Sequence, residues 1–258
     1  GWKIIFDCLD DFHGFSNIFN KETEENDLIA NSNLVLASAD LLFKKSSELS
    51  EHVLLLPNAC EFSHFNKPEK TSVLSNLKKP IVGYFGAIAE WFDVELVEYL
   101  VSNRPNLDFV FIGSTYGADI RKLNNLENVH FLGEKNYSEL PSYLDKFDAC
   151  LIPFKINNLI KSTHPVKIYE YFSAGKPVIS TAIPELFTMK KLCYICSDQK
   201  EFLEKLDMAL DENNPKLIRQ RIEFAFSNDW INRFDTLHSK LLDMPEFDIQ
   251  HHSSNKKS

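Results

Sequence analysis

Residues 162–185 read STHPVKIYEYFSAGKPVISTAIPE and predict a helix followed by a buried strand. Pro165 suits a first helical position, because its φ is preset and it has no N–H group that needs an acceptor. Apolar residues then recur at helical spacing, Gly175 is suited to end the helix, and the run PVIS is typical of a buried strand. Three residues before the helix offer capping groups: Ser162, Thr163 and His164. The stretch therefore predicts one helix–strand unit of an α/β sheet.

Lys167 and Glu170 stand about one turn into this predicted helix. A helix start and a nearby ammonium both favour a bound anion, and two carboxylate oxygens suit the vicinal hydroxyls of a ribose or hexose. The pair therefore fits a ligand that is both phosphorylated and polyhydroxylated, such as a nucleotide sugar. Opposite charges three residues apart also make an ordinary surface pair, worth about 0.2–0.5 kcal/mol. The spacing alone leaves both interpretations open.

The composition is that of an ordinary globular protein, with 258 residues of which 44% are hydrophobic and 25% are charged. The formal net charge of -9 argues against a general nucleic-acid binder, since such proteins usually display a basic face. No apolar run approaches the roughly 18 residues needed to span a bilayer, and no secretory signal is visible. The chain begins Gly-Trp-Lys without an initiator Met, which we interpret as a fragment or an excised domain.

The chain contains five cysteines, and two of them, Cys193 and Cys196, have the C-x-x-C spacing of redox and zinc motifs. No second Cys or His pair completes a zinc site, and the two residues between them are apolar. We therefore expect these cysteines to be small hydrophobic residues of a strand, in a protein of the reducing cytoplasm.

Strand-like and helix-like runs alternate along most of the chain, which predicts parallel sheets. Residues 1–60 predict one domain, and the polar residues 61–79 break the pattern as a linker. Residues 80–244 predict a second domain, a doubly wound parallel sheet. Its predicted strands include residues 108–112 and 149–152, and a loop is predicted at residues 153–164. Its predicted helices include residues 93–103, a short helix near residues 119–123, and three closing helices from about residues 198, 215 and 229. Residues 245–258 lack core residues and predict a disordered tail.

Ligands of such sheets bind at the carboxyl ends of the strands. Gly83 and Gly86 bracket one of these strand ends, and Gly133 with Glu134 follows another. Glycine permits a phosphate to approach the backbone closely, although a tight turn explains the same residues equally well. Neither G-x-G-x-x-G nor G-x-x-x-x-G-K-[ST] is present, so a dinucleotide-binding or P-loop enzyme is not indicated.

Asp10, Asp11 and His13 follow the first predicted strand, at residues 3–7. Polar groups at a strand end occupy the place where α/β folds bind ligands. The same carboxylates are at least as well suited to cap the helix that follows. The sequence leaves both interpretations open.

Residues 164–185, with P-x-K-x-x-E and G-x-P-V, resemble the donor-binding segment of retaining glycosyltransferases of the GT-B fold, specifically glycosyltransferase family 4. Three further segments agree in the family's order: IVGYFGAIAEWFDVELV, NVHFLGEKNYSELPSYLDKFDACLIPF and WINRFDTL. The first sixty residues, with FDCLDDFHGF and LLLPNACEFSHF, resemble the last third of the family's N-terminal domain. The resemblance implies a Rossmann-like GT-B C-terminal domain preceded by a truncated N-terminal Rossmann-like domain.

The resemblance also implies a role for each matched residue. Glu170 matches the glutamate expected to hold the nucleotide ribose, and Gly86 matches the glycine whose loop faces the donor phosphates. Residues 133–137 are expected near the base, and the backbone N–H groups of residues 163–166 at the diphosphate or the sugar. No metal and no cofactor is implied, because helix dipoles and basic side chains stabilise the departing diphosphate in this fold.

The chain departs from the family pattern at three positions. Ser162 replaces the first glutamate of the E-x7-E motif, which usually contacts the donor sugar. The Arg and Lys that many members carry after the glycine loop fall at Ala87 and Phe92. Besides the helix start, three lysines are then candidates for stabilising the diphosphate, the first of them foremost: Lys167, Lys161 and Lys155.

The resemblance therefore implies a retaining glycosyltransferase that moves a hexose from a nucleotide diphosphate-sugar to a saccharide or lipid-linked saccharide in bacterial polysaccharide biosynthesis. We expect it in the cytoplasm, with peripheral contact at the inner face of the membrane. Two alternatives stay open: a non-catalytic GT-B-like scaffold domain of a larger assembly, and a nucleotide-sugar epimerase of the same fold.

The predicted site has three groups of residues. Lys167 and Glu170 are the expected catalytic residues. Asp10, Asp11 and His13 are expected on the acceptor side. The expected donor-binding residues are Gly83, Gly86, Gly133, Glu134, Ser162, Thr163, His164, Lys167 and Glu170.

Overall fold

The computed structural model describes residues 2–11, 21–67, 72–77 and 80–247. Within those ranges the chain forms two parallel sheets, one of three strands and one of six. The first sheet contains, in spatial order, β1 (Ile5–Cys8), β2 (Leu34–Ala37) and β3 (Val53–Leu55). The second sheet contains β4 (Ile81–Phe85), β5 (Asp108–Ile112), β6 (Val129–Phe131), β7 (Ala149–Ile152), β8 (Val178–Thr181) and β9 (Tyr194–Cys196).

Ten helices accompany these strands in the described residues. In the first half they are α1 (Lys21–Asn31), α2 (Asp40–Ser47), α3 (Phe62–Phe65), α4 (Val94–Asn103) and α5 (Leu140–Lys146). In the second half they are α6 (Asn158–Lys161), α7 (Lys167–Ser173), α8 (Gln199–Leu210), α9 (Pro215–Ser227) and α10 (Trp230–Leu242). None of these helices is long and apolar enough to cross a membrane.

The order of strands in the second sheet is β6-β5-β4-β7-β8-β9. After β4, the chain adds β5 and then β6 on one side of it. Strand β7 pairs with the other side of β4, and β8 and β9 follow outward from β7. Strands β4, β5 and β7 are buried along their whole length, and their sequences are apolar apart from Asp108 at the start of β5. The predicted doubly wound parallel sheet is confirmed, and its order reverses between β4 and β7, where such sheets open a crevice for ligands.

Polar caps fix where the longer helices of the second sheet begin. The carboxylate of Asp93 accepts a hydrogen bond from the N–H of Leu96, and Asp198 and Asp229 accept from the first N–H groups of α8 and α10. Each cap satisfies an N–H group that has no partner inside its helix. The helix starts predicted at residues 93, 198 and 229 thus lie one residue from those observed.

Helix α10 leaves the second sheet and packs against the first. Its Leu237 and Leu241, with Met244, contact Leu34 and Leu36 of β2. Residues 245–247, which the sequence assigned to a disordered tail, form a 3-10 turn with Phe247 in the same apolar cluster. That assignment is wrong for these three residues, because Phe247 has an apolar surface to bury; residues 248–258 lie outside the described part of the chain.

Hydrogen bonds join the two sheets on either side of a cleft. The Arg233 guanidinium donates to the carbonyl of Pro57, and the Asn58 amide donates to the carbonyl of His164 over 2.7 Å. On α2, the N–H of Asp40 donates to the Glu185 carboxylate over 2.9 Å. These contacts hold the segments after β2 and β3 opposite the segment that precedes α7 and the residues that follow β8.

Three local predictions differ from the structure. Residues 119–123 do not form a helix; a single 3-10 turn follows at Leu123–Asn125. The short helices α3 and α6 lie in stretches predicted as linker and loop, since four residues are too few for a helical period to show in a sequence.

All five cysteines are free and buried, as expected for small hydrophobic residues.

Candidate functional site

A cavity of about 680 Å³ lies at the carboxyl ends of β4, β5 and β6. Loops after these strands form three of its walls, and α7 forms the fourth. The lining residues are Phe85, Gly86, Ala87, Ile112, Gly113, Ser114, Glu134, Lys135, Asn136, Glu139, Leu140, Lys167 and Glu170. Four of the predicted donor-binding residues therefore line one cavity: Gly86, Glu134, Lys167 and Glu170.

The floor of the cavity depends on two glycines whose backbones touch. Gly86 and Gly113 have φ angles of 135° and 141°, which side chains of L-residues rarely adopt. A Cβ atom on Gly113 would lie 2.0 Å from the carbonyl oxygen of Gly86. The N–H of Gly86 donates to the carbonyl of Ile112, and the N–H of Gly113 donates to that of Gly133. The three loops are thus linked by their backbones beneath the open space.

Lys167 and Glu170 both face this cavity from α7 and are half-buried. The Lys167 ammonium lies 5.6 Å from the centre of the Tyr84 ring. Burial lowers the pKa of Lys167, an effect that the charge of Glu170 partly offsets. Burial likewise raises the pKa of the Glu170 carboxyl to about 7, against the opposite effect of Lys167. The two groups form no ion pair in the described structure, so the alternative of a solvated surface pair does not fit this geometry.

The loop after β6 brings polar groups to the far end of the cavity. Gly133 takes a φ of 65°, and nothing lies within 4 Å of the position of a Cβ atom there. Asn136 and Glu139 then form a capping box, in which the Glu139 carboxylate accepts from the N–H of Asn136 over 3.0 Å. This closed turn fixes the backbone of residues 136–139, the first two of which belong to the segment expected near a nucleobase.

A second cavity, of about 220 Å³, lies in the cleft between the two sheets. Lys167 lines this cavity as well as the larger one, so its side chain stands where the two meet. The first sheet contributes Asp10 and Asn58, and the second contributes Trp91 from the loop after β4. The other lining residues are Phe154, Leu159, Ile160, Thr163, His164, Pro165 and Val166.

His164 is buried in the wall of this second cavity with 4% of its surface exposed. Burial, with the Arg233 guanidinium close by, lowers the pKa of His164 to about 4, so the imidazole is neutral at pH 7. Its Nε2 lies 3.4 Å from the Tyr169 hydroxyl, and its buried Nδ1 has no partner among the described residues. A buried nitrogen without a partner is costly, which marks Nδ1 as a contact available to a ligand.

Of the three residues predicted on the acceptor side, Asp10 lines the cavity in the cleft. The Thr163 hydroxyl lies 3.3 Å from the Asp10 carboxylate across the cleft, and burial raises the pKa of Asp10. Asp11 is half-buried and is not among the described residues that line either cavity. His13 lies outside the described residues.

Three predicted donor-binding residues line neither of the two cavities: Gly83, Gly133 and Ser162. Gly83 lies inside β4 beneath the Phe147 ring, and a Cβ atom there would lie 2.1 Å from that ring. Its lack of a side chain serves the packing of α5 on the sheet. Ser162 is buried, and its hydroxyl lies 2.9 Å from the carbonyl of Leu159 in α6. Because α6 ends at Lys161, the Ser162 side chain turns back to that helix.

The prediction that Ser162, Thr163 or His164 caps α7 with its side chain is wrong. The helix has no side-chain cap, and the Thr163 hydroxyl donates to the carbonyl of Leu159 instead. Of the backbone N–H groups at residues 163–166, that of Thr163 donates to Ile160 and Pro165 has none. Those of His164 and Val166 have no acceptor within the described residues. As predicted, Gly175 ends α7 with a φ of 68°.

The structure adds residues that sequence reasoning did not select. Lys135 lines the larger cavity and is a second ammonium there, whereas the described linings include neither Lys155 nor Lys161. Phe92 is fully buried in the core, and Ala87 lines the cavity without a polar group. Trp91 and Asn58 line the cleft, yet each stands in a loop whose sequence gives no period or motif that points to a ligand.

A family model described as glycosyl transferases group 1 matches residues 79–212, which is just over half of the chain. The chain belongs to this family. The matched residues include β4, the loops of the larger cavity and all of α7. The predicted resemblance is thereby confirmed.

One relative is the Bacillus subtilis (strain 168) protein TuaH, named as a glycosyltransferase of teichuronic acid biosynthesis. It is 24% identical over 253 residues, which cover 88% of this chain and 64% of TuaH. The chain thus spans less than two thirds of the length of that relative.

Solved structures share the fold. Anabaena Alr3699/HepE, in complex with UDP and glucose, superposes with a TM-score of 0.75 at 14% identity, over 94% of this chain and 72% of HepE. The same protein is also solved with UDP-glucose. Sucrose-phosphate synthase from Thermosynechococcus elongatus superposes with a TM-score of 0.68 at 18% identity, over 86% of this chain and 61% of the synthase. The fold is that of the GT-B glycosyltransferases, with Rossmann-like parallel sheets.

Proposed function

We propose that this chain is the donor-binding part of a retaining glycosyltransferase that transfers a hexose from a UDP-sugar to a saccharide. The observation that carries the proposal is the meeting of Lys167 and Glu170 in one cavity at the crevice of a doubly wound sheet. One side chain supplies a positive charge and the other supplies two hydroxyl acceptors, which is what a nucleoside diphosphate requires. The complexes of HepE with UDP and with UDP-glucose support the choice of nucleotide.

In this proposal the nucleotide lies along the larger cavity. Glu170 accepts hydrogen bonds from the ribose hydroxyls, and residues 133–137 hold the base at the far end. The diphosphate lies over Gly86, where the absence of a side chain lets phosphate oxygens approach the backbone. Lys167 contacts the diphosphate, and the N–H groups of His164 and Val166 assist it.

The hexose then points from the diphosphate into the cleft between the sheets. Lys167 lines both cavities, so a sugar joined to a phosphate beside it reaches Trp91, His164 and Asp10. An aromatic ring, a neutral imidazole and a carboxylate are suited to the apolar face and hydroxyl groups of a sugar. The acceptor enters from the side of the first sheet, with Asp10 and Thr163 at its rim.

Bond cleavage at the anomeric carbon leaves a nucleoside diphosphate with an additional negative charge. The fixed ammonium of Lys167 meets that charge in a half-buried site, where electrostatic stabilisation of a leaving group is strong. The proposal uses neither a metal nor a cofactor. The name of TuaH supports an acceptor in bacterial polysaccharide assembly. We propose that this acceptor is a saccharide or a lipid-linked saccharide at the cytoplasmic face of the membrane.

Calorimetry of the full chain with UDP-, GDP- and dTDP-sugars tests this proposal. We expect a UDP-sugar to bind and Glu170→Ala to weaken it by at least about tenfold, since two hydroxyl contacts are lost. Glu223→Ala, at an exposed carboxylate of α9, is the matched control and leaves binding unchanged. Absence of binding by every sugar nucleotide, or equal binding by both variants, refutes the proposal.

A non-catalytic scaffold is the second candidate, and Ala87 and Ser162 favour it. Neither residue supplies the charged group that the family pattern has at its position, and Ser162 turns away from both cavities. A scaffold binds the donor but neither transfers nor hydrolyses it. An epimerase converts the donor to an isomeric sugar nucleotide without any acceptor. Following UDP-hexose by chromatography, with and without a saccharide acceptor, separates all three outcomes.

A further inference from the structure

His64, in the segment between the two sheets, contacts the loop after β6 that forms one wall of the larger cavity. The His64 ring of α3 stacks on the Tyr137 ring with centroids 4.2 Å apart and planes 9° from parallel. The Nε2 atom of His64 lies 2.9 Å from the carbonyl oxygen of Tyr137. Because that carbonyl is only an acceptor, Nε2 must be the nitrogen that has the hydrogen.

Tyr137 stands directly after the residues that line the cavity. Asn136, its neighbour, is the first residue of the capping box with Glu139, and both line the cavity. Burial, with Glu170 and Glu61 nearby, raises the pKa of Tyr137 to about 12. A contact that fixes the Tyr137 backbone therefore fixes the end of the loop that we assign to the nucleobase.

His64 is itself held on a firm support. The N–H of Phe62 donates to the Asp229 carboxylate over 2.9 Å, which ties α3 to the start of α10. The next residue, Phe65, is buried and stacks on Phe85, a lining residue of the cavity, with centroids 5.9 Å apart. His64 is half-buried and contacts the loop from outside the core. The His64 ring also packs edge-on against Phe65 with centroids 4.9 Å apart, so loss of His64 removes that contact and leaves the stack of Phe65 on Phe85.

We infer that His64 is a positioning residue for the nucleoside end of the donor site, through its hydrogen bond to the Tyr137 carbonyl. The inference rests on the proposed function, since it gives a role in nucleotide binding to a residue of the segment between the sheets. His64 does not touch the nucleotide. It holds residues 134–137 at the distance from Glu170 that a base and its ribose require.

Comparison of two amide substitutions, His64→Gln and His64→Asn, separates a role in positioning the Tyr137 backbone from a role in packing. Gln places its amide nitrogen as many bonds from the backbone as Nε2 of histidine, so His64→Gln can still donate to Tyr137. Asn is shorter, so His64→Asn loses the donor while it keeps a polar side chain. We expect His64→Ala and His64→Asn to raise the Kd for UDP about fivefold, and His64→Gln to restore it within about twofold.

The titrations use the full chain, UDP as the probe, and thermal unfolding of every variant. His52→Ala, at an exposed histidine before β3, is the matched control and leaves the Kd unchanged. If wild-type protein does not bind UDP, the proposed function fails. If wild-type protein binds UDP and the three His64 variants bind it equally, or if the Kd follows the melting temperature rather than the amide length, the role of His64 is refuted.

Discussion

A Cβ atom on Gly86 would lie 2.2 Å from Cε and 2.5 Å from Nζ of Lys167. The Lys167 side chain therefore occupies the space that any larger residue at position 86 would need. The glycine next to the proposed diphosphate site serves the position of the lysine as much as the freedom of the backbone. Lys167 reaches the junction of the two cavities only because residue 86 has no side chain.

Gly86→Ala is expected to displace the Lys167 ammonium and to strain a φ of 135°. We expect the Kd for UDP to rise at least about tenfold and stability to fall by roughly 1–3 kcal/mol. Gly117→Ala is the matched control, because its φ of 75° is also positive but Gly117 lines neither cavity. Calorimetry and urea unfolding measure both effects. Equal losses of UDP affinity in the two variants would contradict the role assigned to Lys167.

Lys167→Met keeps the length of the side chain and removes its charge. A charged hydrogen bond to the diphosphate is worth about 1.5–3 kcal/mol, so the Kd for UDP should rise at least about tenfold. Uridine has no diphosphate, and its weaker binding should not change. Competition titrations with UDP and uridine measure the two affinities. A parallel loss for both ligands would place Lys167 at the nucleoside instead.

Much of this site could be predicted from the sequence, and the strands show why. Residues 108–112 and 149–152 were predicted at their observed bounds, because a strand buried on both faces has a nearly continuous apolar run. The helix starts were close because Asp93, Asp198 and Asp229 cap them with their own side chains. Strand bounds and helix starts depend on residues that are adjacent in the chain, so they can be predicted from the sequence.

What could not be predicted depends on which face of an element meets which neighbour. The sequence left Lys167 and Glu170 between a surface pair and a ligand site, because only the docking of α7 on the sheet turns both toward the loop after β4. Ser162 was assigned to the donor by its place in a family motif. The short helix α6 before it was not recognised, and that helix takes its hydroxyl.

The pH dependence of UDP binding should report on Glu170. Its pKa is raised to about 7, chiefly by burial, so the free protein changes from carboxylic acid to carboxylate between about pH 6 and pH 8. The carboxylate has more acceptor sites for ribose hydroxyls than the acid, so affinity should rise with pH over this interval. Glu170→Gln should weaken binding and remove the pH dependence. A wild-type profile that is flat from pH 6 to 8 would contradict the assignment of Glu170 to the ribose.

The same raised pKa predicts that Glu170 lowers stability at neutral pH. The folded protein holds a proton on this carboxyl that the unfolded chain releases near pH 4.5, so stability should fall as pH rises from 4.5 to about 7 and then level off. Glu170→Gln should remove this decline and raise the free energy of unfolding at pH 8 by roughly 1–2 kcal/mol. Urea unfolding at pH 5 and pH 8 measures the difference. A variant less stable than wild type at pH 8 would show that burial is not the dominant influence on Glu170.

Gly83→Ala tests whether this glycine belongs to the core or to the site. A Cβ atom at residue 83 would lie 2.1 Å from the Phe147 ring, so α5 must shift, at a cost of about 1–3 kcal/mol for overpacking. The affinity for UDP should stay within about twofold of wild type, because Gly83 does not line the larger cavity. Adding Phe147→Leu should recover part of the lost stability, since a smaller side chain leaves room for the new methyl group. A Kd for UDP that rises as steeply in Gly83→Ala as in Gly86→Ala would return Gly83 to the donor site.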